Sequence, residues 1–147
     1  MKPLTARMRA GLVAGSALLL AAAAVSPPPQ PDLVCTLTLD RASVAPGAVV
    51  RATLTLRNTG RESVELGFSS AQRYDFRVRR DQQVLWRWAA DMAFAQMVGD
   101  LTLAPGRHAT WTESITAPAQ PGEYTVEGKV TALGRDDLSA STRLTVR

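Results

Sequence analysis

The sequence predicts an all-β protein: an antiparallel sandwich of two sheets built from seven to nine strands. Three observations carry that expectation. Apolar residues recur at every second position through most of the chain, Pro-Gly turn signals separate the runs, and no stretch carries the 3.6-residue apolar stripe of a long helix.

The chain opens on Lys2, Arg7 and Arg9, followed by an apolar run from Gly11 to Val25 that includes the small residues Ala21 to Ala24. A basic start, a short apolar run and small residues at the end describe a secretory signal peptide over 1–24, with Ala22 and Ala24 at the −3 and −1 positions of the cut. The run falls short of the about 20 residues of a comfortable membrane span, so no stable insertion is expected after cleavage; retention as an anchor is the alternative. Residues 25–33 hold Pro27, Pro28, Pro29 and Pro31 and form a stiff spacer, and the folded domain is expected over 34–147. This organisation places the protein outside the cytoplasm: periplasm, cell envelope or exterior.

Within the domain, Cys35, Leu37 and Leu39 alternate with Thr36 and Thr38, so Cys35 is expected as a small apolar residue of a strand. Val50, Ala52, Leu54 and Leu56 alternate with Arg51, Thr53, Thr55 and Arg57. Val64, Leu66 and Phe68 follow, then Tyr74, Phe76 and Val78 against Asp75, Arg77 and Arg79. Tyr124, Val126 and Val130 alternate with Thr125, Glu127 and Lys129, and Leu138, Leu144 and Val146 close the series. Each run reads as a strand with one buried face. Ala45-Pro46-Gly47, Ala104-Pro105-Gly106 and Gln120-Pro121-Gly122 predict type II turns, with Pro presetting φ and Gly supplying φ > 0. Asn58-Thr59-Gly60 and Leu133 to Asp137 mark two further reversals. Ala89 to Asp100, rich in Ala and Met, is either one helical turn or an ordered loop.

Composition excludes several functions. With 46% hydrophobic and 20% charged residues, the chain is not of the disordered class. One Cys excludes a disulfide framework and a cysteine zinc cluster. The formal charge of +4 includes three bases in the leader; without it 14 basic and 13 acidic residues leave +1, too little for nucleic-acid binding. Arg73, Arg77, Arg79 and Arg80 read as a solvated sheet face, and Asp136-Asp137 as a turn and not a cation site. No Gly-x-Ser-x-Gly elbow and no phosphate loop occur, and His108, at the start of a strand, lacks an assignable nucleophile and acid. No enzyme, no metal and no cofactor is expected, and the protein reads as a monomer.

All eight aromatic residues lie between Phe68 and Tyr124, and six of them fall between Phe68 and Phe94. Trp86 and Trp88 are spaced to share one strand face, with Arg87 on the other; that face is either core or an interface. The order Phe68-Ser69-Ser70-Ala71-Gln72-Arg73-Tyr74-Asp75-Phe76, then Val84-Leu85-Trp86-Arg87-Trp88-Ala89, then Met92, Phe94 and Gln96, then Leu101-Thr102-Leu103-Ala104-Pro105-Gly106, resembles the BsuPI family of intracellular proteinase inhibitor domains. Leu54 to Gly60 and Pro121 to Tyr124 also suit it, so the similarity runs from about Leu37 to Val130. The resemblance implies an immunoglobulin-like sandwich that inhibits a serine protease of the subtilisin type, with that protease as its partner. The alternative from another class is a non-inhibitory immunoglobulin-like interaction module of the cell envelope.

An inhibitor needs a rigid, protruding surface, which a sandwich offers at its loop ends. The first candidate is the loop from Ala89 to Gly99, with Met92, Phe94, Gln96 and Met97. The second is the turn Ser69 to Arg73, with Gln72 and Arg73; there Gln72 and Asp75 could instead bond neighbouring backbone and hold the turn.

Overall fold

A computed structural model describes residues 32–147. The leader and nearly all of the Pro-rich spacer expected from the sequence lie outside the described residues. The elements are β1 (Leu33–Leu39), β2 (Ser43–Val44), β3 (Val49–Asn58), β4 (Val64–Phe68), β5 (Tyr74–Arg80), β6 (Gln83–Arg87), a 3-10 turn (Trp88–Asp91), β7 (Gly99–Leu103), β8 (His108–Thr116), β9 (Gly122–Val130) and β10 (Ser139–Val146). Ten strands thus stand against the seven to nine expected; the surplus includes the two-residue β2, too short to show any period.

The strands form sheets in the orders β1-β3-β8 and β2-β10-β9-β5-β6, with β4-β7 as a separate two-stranded sheet. Every pairing is antiparallel except β2 with β10. The alternations in the sequence are the buried faces. Val50, Ala52, Leu54 and Leu56 of β3 meet Phe76 and Val78 of β5 and Tyr124, Val126 and Val130 of β9 in one core. The core is tightly filled at Gly128, where a Cβ would lie 3.0 Å from Leu54 Cδ1 and 3.3 Å from Phe76 Cε1. Cys35 lies half-buried against this core, and burial pushes its thiol up to about 11.

Two Pro-Gly turns behave as expected. Gly47 and Gly106 both take φ 75°, and Ala48 and Arg107 donate backbone N–H groups to Ala45 and Ala104. The third does not: Gly122 (φ 149°) starts β9, with the Arg80 guanidinium lying over it. The β5–β6 reversal lacks glycine, and Asp81 takes the left-handed conformation (φ 51°), which Asp tolerates better than most residues.

Asn58, expected as a turn residue, is fully buried at the end of β3. Its Nδ2 donates to Glu62 O at 2.7 Å and Leu103 O at 2.8 Å, and its Oδ1 accepts from Gly60 N at 2.9 Å. Its backbone N–H donates to Arg107 O and its carbonyl accepts from Gly106 N. The side chain thereby ties the end of β3 to the turn 59–62 and to β7, and the backbone ties it to the turn before β8. Asn58→Ala leaves the buried Leu103 carbonyl and the part-buried Glu62 carbonyl and Gly60 N–H without their partner. The expected loss is about 3 kcal/mol of unfolding free energy, read from the urea midpoint at unchanged slope.

Candidate functional site

The two segments singled out from the sequence meet at one end of the sandwich. Both flank the N-terminal end of β5. The Ala71 N–H donates to Ala95 O at 2.9 Å, stitching the turn 69–73 to the loop 89–99.

Trp88 ends the alternation of β6 and begins the 3-10 turn. The expectation that Trp86 and Trp88 share one strand face is therefore wrong: the strand stops between them. Trp86 lies opposite Val78 in β6, whose five residues are all exposed. Trp88 turns back over β5 and stacks on Tyr74 (centroids 4.6 Å, interplanar angle 23°). Phe94 covers Trp88 at 5.7 Å, while Trp111 of β8 closes on Tyr74 at 5.7 Å. Phe94, Trp88, Tyr74 and Trp111 make a continuous aromatic slab from the loop to the opposite sheet. Such pairs contribute about 1 kcal/mol each beyond their buried area.

A buried carboxylate forces the turn at Trp88. Asp75 is 2% exposed. Its Oδ1 accepts from the Ala89 N–H at 3.1 Å, and its Oδ2 takes Arg87 Nε in a close ion pair. Arg87 is thus committed to Asp75.

The turn 69–73 is locked as tightly. Ser70 Oγ accepts from Gln72 N, Gln72 Nε2 donates to Tyr74 O at 3.1 Å, and Thr131 Oγ1 donates to Gln72 O at 2.9 Å. Arg73 Nη1 donates to Ser70 O at 2.6 Å, and its guanidinium sits 4.4 Å over the buried Phe68 ring. A Cβ on Gly99 would collide with Arg73 Nη2, so the cation lies flat on the start of β7. Gln72 bonds neighbouring backbone, the second of the two roles considered from sequence, whereas Asp75 reaches across the β5–β6 hairpin to Ala89 and Arg87.

The loop itself is open. Met92, Gln96 and Met97 are exposed and Phe94 is half-buried. Val98, which the sequence reading passed over, is the most exposed large apolar residue described, at 76%. Arg87, Trp111 and Glu113 were also not recognised as parts of this end, and Asp75 was considered only for a bond to the backbone of the turn. Asp75 and Arg87 occupy polar positions of ordinary alternations, and β8 is distant in sequence.

The Tyr74 hydroxyl closes the inner end of the slab by donating to Glu113 Oε1 at 2.6 Å. Burial first, and then the carboxylate beside it, push the phenol up to about 12 from an ordinary 10. No group of three or more His, Cys, Asp or Glu side chains among the described residues is placed to hold a metal ion. No helix there is long and apolar enough to cross a membrane.

Fold and site together define a β-sandwich that presents a braced apolar loop at one end, the layout of a protein-binding domain. The BsuPI family, described as intracellular proteinase inhibitor, matches residues 37–134, two thirds of the chain, and the protein belongs to it. Its partners as a family are proteinases, and it is an inhibitor family and not a catalytic one. No curated protein matches the chain. Among solved structures, the chain is similar to Spo0M, a sporulation control protein from Bacillus subtilis, with 17% identity and TM-score 0.53; the match covers 80% of this chain and 50% of that one. It also matches the CARDB domain of PF1109 from Pyrococcus furiosus, a complex with di-metal ions, with 18% identity and TM-score 0.46 over 79% of this chain and 93% of that one. The chain spans half the length of Spo0M. At these identities the likeness to Spo0M concerns the fold alone.

Two outcomes test this geometry. Arg87→Ala strands a buried carboxylate, which is expected to cost about 2 kcal/mol and to speed amide exchange across 88–98 ahead of the core strands. In a spectrophotometric titration the Tyr74 phenolate appears near pH 12, and Glu113→Gln moves it down toward 10 without reaching it, because burial remains. A folded-state value above the unfolded one means that the neutral phenol stabilises the fold below pH 10, a contribution that fades between about 10 and 12.

Proposed function

We propose that this protein is an exported inhibitor of a serine protease of the subtilisin type. It acts by non-covalent contact through the end of the sandwich built from the loop 89–99 and the turn 69–73. Met92, Phe94, Gln96 and Met97 form the contact surface, with Gln72 and Arg73 holding it from behind. Export rests on the basic start, apolar run and small residues of 1–24. The family's description says intracellular, so export makes this chain a version of the domain moved to another compartment.

The observation that carries the reading is that this loop is apolar, exposed and yet fixed. Exposed Met92, Met97 and Val98 gain nothing in the isolated protein, and water-facing apolar clusters of this kind mark binding surfaces. Fixing the backbone beforehand reduces the ordering entropy that binding otherwise costs. Both features suit an inhibitor that enters a rigid cleft.

A second reading, a non-inhibitory interaction module of the cell envelope, draws on β6. That strand is the free edge of its sheet and exposes Val84, Leu85 and Trp86. An open apolar edge invites strand addition by a partner.

Titration of the purified protein against subtilisin-type and trypsin-type serine proteases separates the two. Stoichiometric loss of subtilisin-type activity with the domain intact is expected for an inhibitor. A folded, resistant domain that inhibits no protease in the panel leaves the envelope module as the function.

A further inference from the structure

We infer that Gln96-Met97-Val98 is the segment that enters the protease cleft, with Met97 filling an apolar primary pocket. The target is then a serine protease that prefers large unbranched apolar side chains at that pocket. This rests on the inhibitor reading above and adds to it the contact bond and the class of target.

The geometry points to these three residues because they hang between two fixed points. On one side, Ala95 O accepts both the Ala71 N–H at 2.9 Å and the Met97 N–H at 2.8 Å, and Phe94 is packed on Trp88. On the other side, Gly99 pairs with Phe68 in the β4–β7 ladder, with the Arg73 guanidinium flat against it. Between the braces the chain makes a γ-turn centred on Gln96, closed by the Met97 N–H on Ala95 O, and then runs on to β7 without helix. Met97 and Val98 are 67% and 76% exposed, the two highest values among the exposed large hydrophobic residues described. A short stretch anchored at both ends and directed at solvent is already ordered before it binds.

Chemistry then selects the residue and the pocket. Gln96, Met97 and Val98 carry no charge, and the nearest cation, Arg73, is engaged with Ser70 O and the Phe68 ring. An uncharged tip suits an apolar primary pocket and not an acidic one that selects bases. Met97 is long, unbranched and adaptable, so it fits a deep slot, whereas Val98 is short and stiff at χ1. Met92 lies outside the braces, beside the 3-10 turn, and serves as a flanking contact.

With Met97 in the pocket, the Met97–Val98 peptide bond lies at the protease's nucleophile. The inhibited complex is held by non-covalent contact, and only in rare turnover does the serine oxygen add to the Met97 carbonyl carbon, the C–N bond break and the serine proton pass to the Val98 nitrogen. The braces at Ala95 and Gly99 hold the new amine beside the acyl carbon. It re-adds, the serine leaves with its proton, and the bond reforms ahead of attack by water.

The test is a change of target. Met97→Lys places a cation where an apolar pocket must bury it. Inhibition of a subtilisin-type protease is expected to weaken by at least about 100-fold, with new inhibition of a trypsin-type protease whose pocket is acidic. Because Met97 is exposed, the thermal midpoint stays unchanged and excludes misfolding as the cause. Val49→Lys, an exposed apolar site at the far end of β3, changes neither inhibition profile. After prolonged incubation with the protease, mass spectrometry finds most of the wild-type domain intact and its small cleaved fraction cut only between Met97 and Val98. If the wild type inhibits but Met97→Lys leaves both profiles unchanged, or the cut falls at another bond, the assignment of this segment is overturned and the inhibitor reading stands. If the wild type inhibits no protease, the inhibitor reading falls and takes this inference with it.

Discussion

The carboxylate of Asp75 decides where the chain goes after the β5–β6 hairpin. A buried anion must be satisfied, and the partners at hand are the Arg87 guanidinium and the Ala89 N–H. Meeting both requires the strand to end at Arg87 and the backbone to fold in over β5. Trp88 then has one place to go, the face of Tyr74. Everything at this end follows from that: Phe94 covers Trp88, Ala95 meets Ala71, and the residues after Ala95 are carried out into water. Without Asp75, nothing would prevent β6 from continuing and placing Trp86 and Trp88 side by side.

The arrangement answers a conflict that any binding loop faces. Apolar side chains that stay exposed favour collapse onto the nearest apolar surface, and a loop free enough to collapse is also too mobile to bind well. Here the nearby apolar surface is already occupied by the aromatic slab. The backbone on either side of the tip is held by a hydrogen bond and a strand ladder, so Met97 and Val98 have no core to join. The Tyr74 hydroxyl fixes the inner end of the slab on Glu113, so its position depends on both sheets and not on the loop alone.

Charge plays a different part elsewhere. Arg79 lies 3.2 Å from Glu127, Arg143 3.1 Å from Glu123, Lys129 2.8 Å from Asp136 and Arg135 2.9 Å from Asp137. These pairs are partly or largely exposed, so solvent screening leaves each with little effect on stability. Their consequence is local: on β5 Glu127 balances Arg79, and the other pairs lie on β9, β10 and the turn between them.

The sequence by itself determined the sheet faces and the family. Period-two alternation is a local property, and Leu54, Phe76 and Val126 are buried where it put them. The run from Phe68 to Phe76, with the Trp86-Arg87-Trp88 block, was enough to indicate the inhibitor family, and two Pro-Gly turns took the conformations their residues dictate. Tertiary structure alone decided the rest. It separated Trp86 from Trp88, buried Asp75 and Asn58, left Gly122 outside a type II turn, and chose Val98 as part of the tip. Each of these depends on what lies across a sheet or at the end of a neighbouring strand: Ala89 for Asp75, Leu103 for Asn58, Arg80 for Gly122, Gly99 with Arg73 for Val98. A side chain's own pattern states which face it is on. It does not state whether that face, at that point, is covered by another part of the chain.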